Sequence, residues 1–485
     1  MIKNNKLIPF VSLSLALVFV RLIFIGSTMV IDDEAYYAMY ARHLSPGYID
    51  HGPTVAFVIW LFTLIFGETG FGIRFGSVFL LTLMGWILYQ FGKNQFSERA
   101  GIILSLLVVS NVLFHTNGVI ITPDAPLAFF TICAMMLYFK GYHENAKFLI
   151  PGGVLLGVAM LSKISAAFPA IALAAYPLLN PNKRGLLKNP RYYISFVTAF
   201  MIFSPFIIWN ANNNWAFFVY QGSHVTEGGG FNSFIELWAG LAILIGPVLF
   251  YFAAVKPAIF CIIKGKKKSG SDAMQFFSLM TAIPFLYFLF HSFFSRMEIN
   301  WPAPVFFGGI FICAIIFDER WDALKKFFTV QILYSLSLVG IITIQTFFPF
   351  LPLSGNSDIT NRYFYYSSFK NEVKSYIKDE LNGKGVRIAS NNFQIPSMLN
   401  VYANPNPEAV CLSIDYHETL YSFLYPDSSF IGEDLIILWE GNQFPKSLKS
   451  YFSEISHLIT FESKRRGSVV EQYTFWECLD YKGKN

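Results

Sequence analysis

From Leu7 to about residue 350 the chain is a succession of apolar runs, most of them near 20 residues, separated by short polar loops. A backbone enters hydrocarbon only when each amide is paired within the membrane, so runs of this length fold as spanning helices. Composition points the same way. Hydrophobic residues make up 54% and charged residues 14%, with a mean hydropathy of +0.46, which excludes an ordinary soluble globular chain. A net charge of +5 over 485 residues offers no basic surface for nucleic acid.

Spans are expected at about 7–30, 73–91, 101–115, 125–140, 192–209, 236–255, 273–293, 302–317 and 327–350. The run 148–179 supplies two more. As one helix at about 1.5 Å per residue it would overshoot a hydrocarbon core of roughly 30 Å, and Ser162-Lys163 divides it. The first run lacks a small-residue cleavage site and reads as a retained span rather than a signal peptide. Residues 54–66 are too short to cross and read as an interfacial or re-entrant helix.

With about eleven spans and the N-terminus inside, the cytoplasmic loops collect Lys93, Arg99, Lys147, Lys183, Arg184, Lys188, Arg191, Lys264, Lys266, Lys267, Lys268, Arg320, Lys325 and Lys326. The outer loops keep only Arg42, Arg74, Lys163 and Arg296, the asymmetry that sets membrane orientation. The outer face then also holds Asp32-Asp33-Glu34, Asp50-His51, His115, Asp124, the segment 210–224 and Asn300.

Beyond residue 350 the composition turns polar. Helix-like patterns at 369–381, 395–402 and 445–455 alternate with strand-like ones at 385–389, 409–414 and 434–439, and 460–478 has strand character. The expected fold is therefore a polytopic α-helical membrane domain, 1–350, followed by a small extracytoplasmic α/β domain, 351–485. No CxxC or Cys/His metal spacing occurs, while Cys411 and Cys478 are available for a disulfide in an oxidising compartment.

Three consecutive carboxylates after the first span admit two readings. They cap a helix running to about Leu44, or they form part of a site, since one Asp suffices for a cap and carboxylates near hydrocarbon are costly unless paired or used. Lys163 is either a snorkelling interfacial lysine or a phosphate holder with three donors. Arg74 and Arg296 suit either a phosphate or a structural carboxylate such as Glu68 or Glu298. Asp124, between Pro123 and Ala125-Pro126, suits a helix N-terminus as well as a site, and Asp50-His51 and His224 are weaker candidates for acid–base or ligand roles. Carboxylates set among cations on one membrane face suit an enzyme acting on an anionic, lipid-borne substrate. A transporter or flippase of lipid-linked sugars is the alternative, although transporters gather their polar residues at the midplane between paired halves.

The motifs Asp33-Glu34-Ala35-Tyr36-Tyr37, Arg42-His43-Leu44, Gly47-Tyr48-Ile49-Asp50-His51-Gly52-Pro53, Gly72-Ile73-Arg74, Thr122-Pro123-Asp124-Ala125-Pro126-Leu127, Leu161-Ser162-Lys163 and Asn300-Trp301-Pro302-Ala303 occur in that order. Together they resemble the bacterial branch of the dolichyl-phosphate-mannose protein mannosyltransferase-like family, GT-C membrane glycosyltransferases related to the lipid A aminoarabinose transferases. The resemblance continues into the tail at Ala389-Ser390-Asn391-Asn392-Phe393-Gln394 and Gln472-Tyr473-Thr474-Phe475-Trp476.

It implies an inverting hexosyl- or pentosyltransferase of the cell membrane that moves a sugar from a polyprenyl-phosphate donor to lipid A, an envelope glycan or a protein. By resemblance Asp33, with Glu34 beside it, is the essential acidic residue of the first outer loop, the general base toward an acceptor hydroxyl or the group that orients the acceptor. Asp124 is a second acidic position and Lys163 the lysine on the donor phosphate. Tyr36, Arg42, Asp50, His51, Arg74, His224 and Arg296 are the further candidates for substrate contact. The donor carries its own leaving group, and the sequence has no GxxxxGK[ST] loop for a nucleotide. A divalent cation is used by some relatives and not by others. Where the family often reads Asp-His-Pro-Pro, this chain has Asp50-His51-Gly52-Pro53.

Overall fold

The computed structural model describes residues 7–224, 228–264, 272–353, 357–381, 384–414 and 417–483. Contacts divide the chain into two units, the first within Met1–Ile23, Asp50–Val55 and Phe75–Ile341, the second within Phe24–Ile49, Ala56–Arg74 and Ile342–Asn485.

In chain order the first helices are α1 (Leu7–Ser27), α2 (Asp32–Arg42), α3 (Thr54–Phe66), α4 (Gly70–Gln95), α5 (Glu98–Val109), α6 (Val112–Thr116), α7 (Asp124–His143), α8 (Leu149–Ser162), α9 (Ala167–Leu179) and α10 (Pro190–Asn212). Then come α11 (Ala216–His224), α12 (Phe231–Ile245), α13 (Pro247–Phe250), α14 (Lys256–Lys264), α15 (Asp272–His291), α16 (Pro304–Glu319) and α17 (Trp321–Phe347). Six of these, α1, α4, α7, α10, α15 and α17, are long and apolar enough to cross a membrane, and the number rises to eight when two bent pairs are counted as spans. This is a membrane protein. By length the count falls short of the eleven spans expected, because α5, α8, α9, α12 and α16 are only 12 to 16 residues long.

Two of the shortfalls have a clear local cause. The expected span 101–115 breaks where Asn111 caps α6, its Oδ1 accepting from Leu113 N at 3.0 Å while its Nδ2 donates to the Ile245 carbonyl at 2.8 Å. The expected span 236–255 bends by 113° at Gly246-Pro247. Gln331 satisfies both broken ends there, donating to Ile245 O at 2.8 Å and accepting from Leu249 N at 2.9 Å. Backbone freed at membrane depth needs such a partner. Helix α3 has 13 residues, as the sequence implied for an interfacial element, and at about 1.5 Å per residue it falls well short of a span. In the first unit α8 packs against α7 and α10, and α16, apolar and buried on every side, packs against α5 and α15. The charge inside α1 is Arg21, fully buried, whose Nε donates to His115 Nδ1 at 3.2 Å.

In the second unit the tail adds α18 (Glu372–Tyr376), α19 (Gln394–Tyr402) and α20 (Leu420–Leu424) to a five-stranded sheet of order β2-β1-β3-β5-β4. Strands β1 (Arg387–Ser390), β2 (Val410–Cys411) and β3 (Leu435–Glu440) are parallel, and β4 (Glu454–Arg465) and β5 (Ser468–Leu479) continue the sheet antiparallel. The register pairs Arg387 with Leu435 and Leu435 with Cys478. Strands β4 and β5 form a hairpin whose two loop residues, Arg466 and Gly467, both have positive φ, the mirror-image turn that matches strand twist.

This resolves the strand character expected at 460–478 into one turn and two strands. The helix expected at 445–455 is only a 3-10 turn, Lys446–Tyr451, because the chain is already extended at Glu454, the start of β4. Cys411 on β2 and Cys478 on β5 are separated by two strands, roughly 14 Å at about 4.8 Å per strand, so the disulfide considered above does not form.

Candidate active site

In the second unit α2 carries the acidic run into its first turn. The N-terminus of a helix favours carboxylates, yet the three differ sharply in surroundings. Glu34 is completely buried. Its Oε2 accepts from Ile31 N at 2.8 Å, closing the helix start, and both its oxygens accept from Arg74 Nε at 2.8 Å, with Arg74 Nη2 adding a further bond. Arg74 is equally buried, donates to Thr28 Oγ1 at 2.8 Å and lies 5.5 Å from the Tyr363 ring centroid. These two residues are therefore a structural ion pair. The catalytic part foreseen for Glu34 and the phosphate contact foreseen for Arg74 are corrected accordingly; Arg74 does take a structural carboxylate, but Glu34 rather than Glu68.

Asp33 is different. Its side chain is 44% exposed, and its Oδ2 lies 3.3 Å from Arg362, which also bonds Asp32 Oδ1 at 2.6 Å. Desolvation pushes the Asp33 carboxyl up to about 6, the neighbouring Asp32 carboxylate adds to this, and Arg362 opposes it. A carboxylate with that proton affinity and open to solvent suits a general base near neutral pH.

Tyr36 and Arg42, further along α2, are structural. Tyr36 is buried, packs on Phe393 at 4.3 Å between ring centroids and accepts from Leu420 N at 2.8 Å. Arg42 bonds Glu68, reaches Glu408 at 3.3 Å and donates to Asn400 O at 2.8 Å. Substrate contact through either side chain, foreseen from the sequence, is replaced by attachment of α2 to the tail.

The first unit holds a second polar cluster. Asp124 opens α7 and is 4% exposed; its Oδ1 accepts from Lys163 Nζ at 2.8 Å and its Oδ2 from Asn300 Nδ2 at 2.6 Å. Lys163 ends α8 in extended backbone, the break that made 148–179 two helices. Its ammonium has three donors, one of which Asp124 takes, which leaves capacity for an anion.

His51 stands beside this pair. Burial first, then the Lys163 ammonium, holds its imidazole down to about 3, with Asp124 opposing, so it is neutral at physiological pH. Gly52 explains the departure from Asp-His-Pro-Pro: a Cβ there would lie 1.9 Å from the Leu161 carbonyl oxygen, so only glycine lets this loop approach the end of α8 two residues before Lys163. The Asp50 carbonyl accepts from Gln221 Nε2 at 2.9 Å, fixing the same loop to α11.

Arg296 lies elsewhere in this unit. It is exposed and lines a cavity of about 450 Å³ with Gly228, Gly229, Asn232 and Glu236, and among the described residues no hydrogen bond or ion pair joins it to Asp124 or Lys163. His224 ends α11 and its side chain lies outside the described residues. Among the described residues no three His, Cys, Asp or Glu side chains converge to hold a metal, and cations of the protein itself, Lys163 and Arg362, stand at the carboxylates a metal would use. Sequence reasoning missed Arg362 altogether and noticed Asn300 only as part of a motif; nothing local in Asn361-Arg362-Tyr363 marks it.

Residues 50–209, 160 of the 485, match the family described as dolichyl-phosphate-mannose-protein mannosyltransferase. The matched stretch contains Asp50, His51, Arg74, Asp124 and Lys163. No curated protein matches the sequence significantly. Among solved structures, ArnT from Cupriavidus metallidurans in its apo state superposes with a TM-score of 0.66 at 14% identity, covering 98% of both chains. The same protein bound to undecaprenyl phosphate gives 0.67 at 13% identity, again over 98% of each. The chain has the GT-C fold. The GT-C likeness runs the length of the chain, tail included, whereas the family match is confined to the region around Asp124 and Lys163.

Proposed function

We propose that this GT-C chain is a glycosyltransferase that moves a sugar from a polyprenyl-phosphate donor to an acceptor on the outer face of the cytoplasmic membrane. The observation that carries the reading is the Lys163–Asp124–Asn300 cluster: a lysine oriented by a buried carboxylate, with donors to spare, the lysine and the carboxylate both inside the family-matched region. A structural relative bound to undecaprenyl phosphate supports the same donor class.

In the proposed reaction Lys163 holds the donor phosphate and neutralises the charge it gains as it leaves. The acceptor oxygen attacks the anomeric carbon, the bond to the phosphate oxygen breaks, and the acceptor's proton passes to a carboxylate base, the part that the resemblance gives to Asp33. Configuration inverts in this single displacement. The sugar is a hexose or pentose, and lipid A, an envelope glycan or a protein is the acceptor. Outward orientation rests on the inner placement of the basic loops.

The test uses purified protein in vesicles made from envelope lipids whose lipid-linked sugars are isotopically labelled. Wild-type protein should move label from the polyprenyl-phosphate fraction to another acceptor fraction, and Asp33→Asn should not. Equal transfer by Asp33→Asn rejects the role of Asp33. Label that crosses the bilayer while staying on its lipid rejects transfer in favour of transport.

A further inference from the structure

We propose that Arg362 is the positioning residue of the first outer helix, holding Asp32 as an anchor so that Asp33 remains the working carboxylate. The proposal deepens the functional reading and rests on it through Asp33.

The geometry separates two adjacent acids. Asp32 Oδ1 is the closer partner of Arg362, at 2.6 Å, and also accepts from Asp33 N at 3.1 Å; its side chain is 22% exposed. Asp33 meets the guanidinium at 3.3 Å through Oδ2 alone, is twice as exposed at 44%, and among the described residues has no partner on Oδ1. One acid is thus pinned by both the backbone N–H of the next residue and the guanidinium, while the other keeps an oxygen toward solvent.

Arg362 is itself held firmly. It sits in the 3-10 turn Ile359–Tyr363, capped by Asp358, whose Oδ1 accepts from Thr360 N at 3.0 Å. Asp358 pairs with Arg465 at 3.0 Å with both side chains 6% exposed, and Arg465 also bonds Asn361 Oδ1 at 2.6 Å. The next residue, Tyr363, packs edge-on against Phe24 at 5.2 Å and beneath Arg74, the partner of Glu34. A single braced turn of the tail therefore addresses all three acids of α2. Such a support fixes a reacting group within the tolerance that catalysis needs.

The charged groups around Asp33 are Asp32 and Glu34 on its own helix and Arg362 on the turn; Glu440 of β3, beside Glu471 of β5, adds negative potential at Asp32. Among the described residues Arg362 is the cation that acts on Asp33, and Arg74 is occupied by Glu34. Removing it leaves Asp33 among carboxylates and raises its proton affinity.

The experiment compares Arg362→Ala, Arg362→Lys and Asp33→Asn for transfer rate against pH, donor KM and thermal unfolding in detergent. Arg362→Ala should lower kcat at pH 7 about tenfold, leave donor KM within about twofold, and move the acid limb of the rate profile upward by about one pH unit. Arg362→Lys should restore most of the limb position. Unchanged kcat and limb in Arg362→Ala overturns the proposal. So does equal loss in both variants with the limb unmoved, which a merely structural role produces. If Arg362→Ala does not fold, Arg362→Gln carries the same comparison. Normal transfer by Asp33→Asn would instead bring down the underlying reading, whatever Arg362 does.

Discussion

Neighbouring residues Asp33 and Glu34 should respond in opposite ways to the same loss of charge. Replacing Glu34 by Gln keeps the shape but sets an amide against Arg74, leaving a fully buried guanidinium without its anion. Breaking a buried pair by removing one partner costs about 3–5 kcal/mol, roughly two to three and a half powers of ten in the folded ratio. Asp33 and Arg362 are 44% and 43% exposed, so Asp33→Asn removes a solvent-screened pair worth about 0–1 kcal/mol. Tryptophan fluorescence during heating in detergent, together with the yield of folded protein from membranes, measures both. Glu34→Gln should unfold far earlier than wild type, and Asp33→Asn should unfold with it. A Glu34→Gln protein with the wild-type midpoint, or an Asp33→Asn protein that fails to fold, would refute the division between structural and working carboxylate.

Four further outcomes are expected. Lys163→Ala loses a charge-assisted contact worth about 1.5–3 kcal/mol, so donor KM should rise roughly ten- to hundredfold in initial-rate measurements, and the folded yield should fall as well because the buried Asp124 carboxylate loses its cation. Because the Asp33 carboxyl is raised from 3.8 to about 6 and must be ionised to act as a base, kcat should fall as pH drops through about 6 rather than about 4. His51 is held neutral down to about 3, so His51→Gln should leave the pH limbs of kcat where they are, whatever it does to their height. Gly52→Ala drives a methyl onto the Leu161 carbonyl at 1.9 Å; the loop must shift, and donor KM should rise although no substrate-contacting group has been removed.

The parts of this fold legible in the sequence were those set by local pattern. Apolar length located the six long helices, and short apolar, strand-like runs located β1 and β3. The bend at Gly246-Pro247 was also written in the chain, as a dipeptide that supplies positive φ and then removes a donor, but a hydropathy window averages over it. The separate fates of Asp33 and Glu34 were not legible. Adjacent helix residues point about 100° apart, and which of them meets an arginine depends on Arg74 arriving 40 positions later. Arg362 lies 329 positions beyond Asp33, so no spacing rule reaches it. Asp124 and Lys163 were found through type and motif order, whereas their 2.8 Å bond and the closure by Asn300 required the folded helices.

The central claim is sugar transfer from a polyprenyl-phosphate donor through Asp33. Its most direct test is mass spectrometry of envelope lipids and glycans from cells lacking the gene, then restored with wild type or with Asp33→Asn. The account predicts one sugar missing from one acceptor, its polyprenyl-phosphate form accumulated on the outer leaflet, and repair by wild type alone. Repair by Asp33→Asn, or a donor accumulating only on the cytoplasmic leaflet, would contradict it.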